Sequence, residues 1–556
     1  MSNVTTDTDW SAVDWQKVNK TVTNLRQRIY RAAKQGDLKK VRSLQRLMLR
    51  SYSSRLQAVR RVTQINAGKN TPGVDKLTIK TPEARGKFAD SLKEYEVWKA
   101  QPVRRVYIPK ANGKKRPLGI PVMTDRAIQA MVKNALEPYW ETKFEGSSYG
   151  FRPGRGCHDA IEAIYNSARG DARSRRKYVL DADIKGAFDN ISHEYLLKTI
   201  GNFPARELIK QWLKAGYVEF GELHLVNSGT PQGGVISPLL ANVALHGMEE
   251  ALNIKWRYRR DRDVFELKSR RALVRYADDF VVFTETEEDA EECRRILTGW
   301  LAERGLQFSE EKAQIVSLND GFNFLGFNIR RYEVKDRRSN RKLLIKPSKE
   351  SVQQYRDNLK AEWKKVLGHD VGRVIKVLNP KIRGWGNYFR IGVSAEVFYN
   401  LDRWMVGRCL RWARRTHPTK SLNWIRRKYF NVGFEHGNKS WRLLRAKEHG
   451  GELLELGSIK IQRHVMVKGT HSPDNPELRD YWRTRRSKEI KALPKGKRTL
   501  ATRQQGKCPL CGDWLLNHEE LHIHHIVPRS KGGNNKYDNL ELVHLYCHQQ
   551  VHSKMA

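Results

Sequence analysis

The stretch that most constrains this chain is Leu273-Val274-Arg275-Tyr276-Ala277-Asp278-Asp279-Phe280-Val281-Val282-Phe283. β-Branched and aromatic runs flank a tight acidic centre, which predicts a hairpin with carboxylates at its turn. Two adjacent carboxylates on a bend repel each other and destabilise the turn unless a cation neutralises them, which divalent metal ions do well. A second acidic strand lies upstream, Tyr178-Val179-Leu180-Asp181-Ala182-Asp183-Ile184-Lys185-Gly186-Ala187-Phe188-Asp189. If Asp183 meets Asp278 and Asp279 in space, the three carboxylates form a cage for two Mg²⁺, spaced about 3.5–4 Å for in-line displacement at phosphorus. A solvated acidic turn is the bland alternative.

Charge narrows the partners. The 556 residues include 104 Lys plus Arg against 61 Asp plus Glu, a net charge of +43, and the length suggests three or four domains. Such an excess points to a polyanion, with an anionic membrane surface as the alternative. No 18-residue apolar run exists, and the polar stretch Met1 to Trp10 is no signal peptide. Cys157, Cys293 and Cys409 are isolated, whereas Cys508, Cys511 and Cys547 cluster in a metal-like pattern, which fits a reducing cytoplasm.

Tyr-Ala-Asp-Asp downstream of Asp183-Ile184-Lys185-Gly186-Ala187-Phe188-Asp189 resembles a reverse transcriptase. In detail the chain is similar to proteins encoded within bacterial group II introns, over nearly its whole length. The resemblance implies a multidomain α/β and α protein. A right-hand polymerase (fingers and palm with an N-terminal extension) would span residues 1–335, and an α-helical thumb/maturase domain 336–435. A DNA-binding region and linker would span 436–500, and a ββα-metal HNH endonuclease 501–556. It implies an RNA-directed DNA polymerase that also assists intron splicing and cuts DNA, driving intron retrohoming by target-primed reverse transcription. The implied partners are intron RNA in a ribonucleoprotein, target double-stranded DNA and dNTPs, with no membrane. The implied location is the bacterial cytoplasm, at the nucleoid during targeting. Two rivals are a splicing-only maturase and the reverse transcriptase of another retroelement. The complete carboxylate and histidine sets argue against the first, and the thumb/maturase and HNH tail against the second.

Along the chain, Leu38, Val41, Leu44, Leu47 and Met48 form an apolar helical stripe with Lys and Arg opposite. Residues 64–75 read as a Gly/Asn/Pro-rich turn, similar to the extension before the fingers. Alternating strands around Asn112-Gly113 predict a type I′ hairpin carrying Lys110, Lys114, Lys115 and Arg116. Such cations can hold a triphosphate, and the resemblance assigns that role to Lys110 and Arg116. Asp125 is a plausible cap for the helix that follows. The Gly-rich run Ser148 to Cys157, with Arg152 and Arg155, suits close approach to a phosphate or base and matches the family's template-contacting loop. Phe188, five residues after Asp183, corresponds to the steric gate that selects dNTPs; a core phenylalanine is the alternative. Gln232, in Gly229-Thr230-Pro231-Gln232-Gly233, can touch the nucleotide or template. Lys312 is placed to protonate pyrophosphate or is a surface lysine. Phe322-Asn323-Phe324-Leu325-Gly326-Phe327 resembles the primer grip.

Between Arg373 and Lys428 stand fourteen Lys/Arg and two acidic residues, interleaved with Trp385, Trp404, Trp412 and Trp424. A bundle with one apolar and one basic side suits RNA, with most tryptophans in the core and Arg411, Arg414, Arg415, Arg426 and Arg427 on the RNA. At the C-terminal end, Cys508, Cys511, His544 and Cys547 have paired spacings that suit a closed tetrahedral Zn²⁺. His544 stands where the family more usually has cysteine. In the HNH pattern, His524, His548 and His552 hold one Mg²⁺ or other divalent ion. There His525 is the base that deprotonates water, and Asn539 holds the loop carrying it. Lys531 to Asn535 reads as the turn from strand to helix. A purely structural zinc finger is the alternative.

Overall fold

The computed structural model describes residues 7–109, 113, 115–169, 175–259, 264–333, 341–435, 438–442, 445–446, 451–517 and 519–553. Acidic caps set where the first helices begin. Asp14 accepts the Lys17 N–H at the start of α1 (Trp15–Lys34), and Asp37 accepts that of Lys40 at the start of α2 (Leu38–Arg50). α3 (Tyr52–Arg60) continues into a π turn over Arg61–Ile65, and α4 (Pro82–Ser91) has proline in its first turn. The buried face of α2 is Val41, Leu44, Gln45, Met48 and Leu49, whereas Leu38 and Leu47 are 46% and 48% exposed. Leu47 lies about 100° of rotation from Met48 and so falls off the packed arc, and Leu38 is the first residue of the helix.

β1 (Val103–Pro109) and β2 (Lys115–Ile120) pair antiparallel, Arg104 opposite Ile120 and Pro109 opposite Lys115. Of the Asn112-Gly113 turn read from the sequence only Gly113 is among the described residues, and its backbone is left-handed (φ +77°). Lys110, Asn112 and Lys114 lie outside the described residues. Asp125 does not cap α5 (Met123–Trp140); Val122 holds the cap position. The Asp125 carboxylate is buried, accepting Nε1 of Trp98 (2.8 Å) and Trp212 (2.7 Å) and the Gln101 N–H (3.0 Å). It joins three segments of the fingers instead of starting one helix.

The chain continues through α6 (Cys157–Ala168), β3 (Tyr178–Asp183), α7 (Ala187–Asn190), α8 (His193–Ile200) and α9 (Arg206–Lys214). Then come β4 (Tyr217–Glu219), β5 (Glu222–His224), α10 (Ser237–Ala244), α11 (Met248–Ala251), β6 (Trp256–Arg259) and β7 (Val264–Leu267). β8 (Ala272–Tyr276), β9 (Asp279–Thr284), α12 (Glu287–Ala302) and β10 (Gln314–Ser317) complete the palm. Its sheet has the order β10-β3-β9-β8, with each neighbouring pair antiparallel. Both faces are covered. Leu180, Ala182, Phe280 and Val282 pack with α12, while Val179, Val281 and Phe283 pack with α6. Alternate residues therefore enter two different cores, which explains why β3, β8 and β9 are mostly apolar, with Asp181 and Arg275 as polar residues inside them and Asp183 and Asp279 at strand ends.

The second core runs on through the sheet of β11 (Phe322–Phe324), β12 (Phe327–Glu333) and β13 (Arg341–Pro347) into a helical bundle. The bundle comprises α13 (Lys349–Lys365), α14 (Val371–Phe389), α15 (Ala395–Thr416) and α16 (Leu422–Tyr429). Trp412 is buried in it, whereas Trp385, Trp404 and Trp424 are half-buried against its edge. After the short strands β14 (Asn431–Glu435), β15 (Asn438–Arg442), β16 (Arg445–Ala446) and β17 (Gly451–Glu452), the chain returns across the palm. Asp159 fastens this return, accepting from the Val467 N–H (2.8 Å) and Arg485 Nη2 (2.8 Å). Arg26 on α1 binds Asp474 (2.7 Å) and Glu137 (2.8 Å) in a buried ion triad. α17 (Arg479–Ile490) and α18 (Lys495–Arg503) lead to β18 (Leu521–His525), β19 (Leu540–His544) and α19 (Leu545–Ser553). Lys531 to Asn535 lies between β18 and β19, so it joins two strands, and the helix follows the second strand directly. Among the described residues no helix is long and apolar enough to cross a membrane.

Candidate active sites

At the palm, β3 and β9 pair so that Asp183 stands opposite Asp279, and the turn from β8 to β9 carries Ala277 and Asp278. The turn is tight enough to force Ala277 into the left-handed region (φ +59°). Gly150 lies directly beneath it: a Cβ there would come within 2.4 Å of the Ala277 nitrogen. Arg275, wholly buried, donates from Nη1 to the Ala277 carbonyl (3.2 Å) and to Asn242 Oδ1 (3.1 Å). Asn242 in turn donates to the Gly150 carbonyl (2.9 Å). This polar plug seats the hairpin. Its sequence signal is one cation inside an otherwise apolar strand, which the motif reading passed over.

The carboxylates load one another. Burial, then Asp278 and Asp183, push Asp279 up to about 7. Burial and Asp183 also raise Asp278, with Arg116 and Lys312 opposing. Neighbouring Asp181, at the wall of the same cleft, is lifted to about 6, chiefly by burial. The Lys312 ammonium meets Asp183 Oδ2, and the Ser309 N–H fixes the Asp183 carbonyl (2.8 Å). Asp183 and Asp279 line an open cleft, with Asp278 next to them in the turn, and half-buried carboxylate oxygens of this kind fit hard divalent cations.

Phe188 sits on α7, its carbonyl accepting the Thr230 N–H (2.6 Å) and its ring edge-on to Phe151 at 6.2 Å. Phe188, Gln232, Gly119 and Arg105 line one cavity, and the Gln232 carbonyl accepts the Gly119 N–H (2.6 Å). In the Gly-rich loop Arg152 faces inward: it pairs with Glu141 at 2.9 Å, with both side chains fully enclosed. Arg155 bonds the carbonyls of Gly146 (3.2 Å) and Gly469 (2.6 Å). Neither guanidinium faces a phosphate path; Phe151, 46% exposed, is the side chain this loop presents. Phe322, Phe324 and Phe327 are likewise core, and only Asn323, Phe324 and Leu325 edge the carboxylate cleft.

On the bundle, Arg411, Arg414 and Arg415 on α15 and Arg427 on α16 are exposed, and Arg426 is half-buried.

Two ligand clusters stand at the C-terminal end. Cys508, Cys511, His544 and Cys547 are all buried, with donor atoms within 4.8 Å of one another, a closed soft-donor set that suits Zn²⁺. His524, His548 and His552 bring three nitrogens within the same distance. Burial, then the neighbouring histidines, lowers the pKa of His524 and His548, leaving lone pairs available near neutrality. His525 is turned to Asn535 Oδ1 (2.9 Å), a partner the sequence reading missed within its Gly-Gly-Asn-Asn run. Asn539 clamps the following loop: Oδ1 accepts the Val527 N–H (2.8 Å), and Nδ2 donates to the carbonyls of Val527 (3.0 Å) and Asn534 (2.8 Å).

A palm with paired acidic strand ends, a helical thumb and an appended histidine-rich module define an RNA-dependent DNA polymerase carrying a nuclease. Family comparison agrees. Residues 108–329 match the reverse transcriptase (RNA-dependent DNA polymerase) family and 10–92 the N-terminal domain of reverse transcriptase. Residues 352–430 match the group II intron maturase-specific domain, and 508–554 the HNH endonuclease. Protein YkfC of Escherichia coli (strain K12) is 35% identical over 301 residues, 48% of this chain and 78% of that protein. The group II intron-encoded protein LtrA of Lactococcus lactis subsp. cremoris is 28% identical, covering 87% of this chain and 92% of its own. An uncharacterized 91 kDa protein in the cob intron of Schizosaccharomyces pombe is 29% identical over 58% of this chain and 48% of its own. The chain belongs to the group II intron-encoded proteins, and combines reverse transcriptase, intron maturase and HNH endonuclease. Enzymes of the polymerase and HNH classes work with divalent metals.

Proposed function

We propose that Asp183, Asp278 and Asp279 are the Mg²⁺ ligands of cDNA synthesis. The observation that carries this reading is the pairing of Asp183 with Asp279 beside a strained turn bearing Asp278. When bound, two Mg²⁺ would neutralise charge at the attacking 3′-oxygen and the leaving pyrophosphate. The protein's part is to hold the three carboxylates close against their repulsion and to position the nucleotide. Lys110 and Arg116 grip the triphosphate, Gln232 contacts the new base pair, and Phe188 closes against a 2′-hydroxyl. Lys312 supplies a proton to the departing pyrophosphate.

In the same reading, residues 1–335 form the polymerase, 336–435 the maturase, 436–500 the DNA-binding region and 501–556 the nuclease. The exposed Arg411, Arg414, Arg415 and Arg427, with half-buried Arg426 beside them, hold intron RNA. The soft-donor set takes a structural Zn²⁺. His524, His548 and His552 hold a divalent ion that would polarise the scissile phosphate, His525 takes the proton of the attacking water, and Asn539 steadies the loop after it. The cut strand of target DNA then primes cDNA synthesis on the intron from dNTPs, which makes the sequence of events retrohoming, in the bacterial cytoplasm at the nucleoid. The test uses one folded preparation of Asp278→Ala in two assays. Primer extension on a generic RNA template should fall about a thousandfold or more, while protein-assisted splicing of a precursor persists. Undiminished primer extension would refute the ligand assignment, and joint loss of both activities would refute the division of labour.

A further inference from the structure

Arg60, at the end of α3, is an N-terminal residue buried in the C-terminal module. Its Nη2 lies 3.2 Å from Cys547 Sγ and 3.4 Å from Glu519 Oε2, and the Arg60 and Glu519 side chains are only 6% and 2% exposed. Its guanidinium also covers the Trp15 ring at 4.6 Å. Around it the two ends of the chain share one apolar core, in which Trp10, Trp15 and Val59 pack with Cys508, Cys511 and Cys547. Asn19 on α1 donates to the Cys511 carbonyl (3.1 Å), and Gln550 on α19 donates to the carbonyls of Ser11 (2.8 Å) and Val13 (2.9 Å).

We propose that Arg60 is the outer partner of the Cys508–Cys511–His544–Cys547 centre, so that loading this centre with Zn²⁺ and docking the nuclease module on α1 and α3 are one linked equilibrium. The inference rests on the zinc reading of those four ligands and concerns what that ion does for the rest of the chain. Zn²⁺ would tie Cys508, Cys511, His544 and Cys547 into one fixed cluster, and the Cys547 Sγ of that cluster is what Arg60 Nη2 touches. Without the ion the two ligand pairs are no longer bonded through a common atom, and the surface that seats Arg60, Trp15 and Asn19 loses its fixed shape. A buried guanidinium parted from that surface is left with fewer partners, so the docked state weakens. Linkage makes the effect reciprocal: the docked Arg60 must also hold the metal in place. Partners in direct contact with ligand atoms typically change metal affinity by about 10–100-fold. Through this contact, zinc would set how firmly the nuclease stands against the polymerase.

The test uses the full chain. Zinc content is measured by elemental analysis, zinc release by transfer to a chromogenic chelator, and docking by hydrogen–deuterium exchange of residues 10–20 and 52–62. The expected result is about one tightly held zinc at this centre. Removing it should speed exchange in both segments at least tenfold, and adding it back should restore protection. Arg60→Gln should release zinc at least tenfold faster and exchange quickly even when zinc is present, and Cys508→Ser should reproduce the unprotected state. Primer extension on a supplied template checks that the polymerase of each variant is folded. Should Arg60→Gln fail that check, Asn19→Ala, which loses the bond to the Cys511 carbonyl and the one accepted from Gln57, should shift both readouts the same way to a smaller extent. A chain that binds no zinc overturns the zinc reading and this proposal with it. Stoichiometric zinc whose removal leaves both segments protected, or unchanged release from folded variants, overturns the coupling alone.

Discussion

Replacing Asp279 with asparagine should abolish cDNA synthesis and, in the absence of metal, make the protein more stable. Asp279 is raised from 3.8 to about 7 by burial and by its two acidic neighbours. Ionising it in the folded state is therefore disfavoured by ~4 kcal/mol, which residual exposure to water reduces to ~2–4 kcal/mol. The sign follows from linkage. Below pH 3.8 the carboxyl is protonated whether folded or unfolded, and the substitution changes little. Between pH 3.8 and about 7 the unfolded chain ionises while the folded one resists, so the wild type loses stability progressively. Above pH 7 the whole penalty is present. Asparagine keeps the shape and removes the charge. For a polymerase unit of this size, ~2–4 kcal/mol corresponds to a rise of roughly 3–7 °C in Tm. Thermal unfolding in EDTA from pH 5 to pH 8 should show the gap between Asp279→Asn and wild type widening with pH. Millimolar MgCl₂ should then raise the wild-type Tm and narrow the gap. A variant less stable than wild type at pH 8 in EDTA, or a gap independent of pH, would refute the view that the carboxylates strain this site.

Phe188→Ala should admit ribonucleotides while dNTP use persists; primer extension with rNTPs alone measures this, and continued refusal would leave Phe188 a packing residue. His525→Ala should lose cleavage of the second DNA strand yet retain splicing and extension of a supplied primer, read in a nicking assay beside the other two. Neutralising Arg411, Arg414, Arg415 and Arg427 should weaken intron RNA binding and flatten its salt dependence by roughly 0.7–0.9 for each phosphate no longer neutralised, measured by filter binding across salt concentrations. Arg275→Met should unseat the hairpin turn and destabilise the palm by ~1–3 kcal/mol, because the Ala277 carbonyl and Asn242 Oδ1 lose a buried donor; chemical denaturation against wild type decides it.

The acidic hairpin was legible because carboxylates in a run of Val and Phe contradict the burial of that run. The C-terminal ligands were legible because Cys and His at fixed intervals have few other uses. Cations were not. Arg152 and Arg155 in a glycine-rich loop look like phosphate binders, yet one is enclosed with Glu141 and the other caps carbonyls, including that of Gly469, over 300 residues away. In a chain with 104 basic residues, the few that are buried are marked only by partners distant in sequence. Asp125 looked like a cap because helix starts favour aspartate, but two tryptophan N–H groups drew it into the interior.

The Arg26–Asp474 ion pair joins residues 448 apart, and Gln550 reaches back 539 residues to Ser11. Translation at about 5–20 residues per second puts roughly 20–90 s between synthesis of α1 and arrival of Asp474. Throughout that interval α1 displays a guanidinium that has Glu137 but lacks the second of its two carboxylates, and a tryptophan meant for a module still to be made. Vectorial synthesis thus leaves this enzyme's amino end waiting for its carboxyl end. Nascent chains should need shielding at the beginning rather than at the end, and a messenger cut short before the last domain should yield an aggregation-prone polymerase rather than a smaller working one.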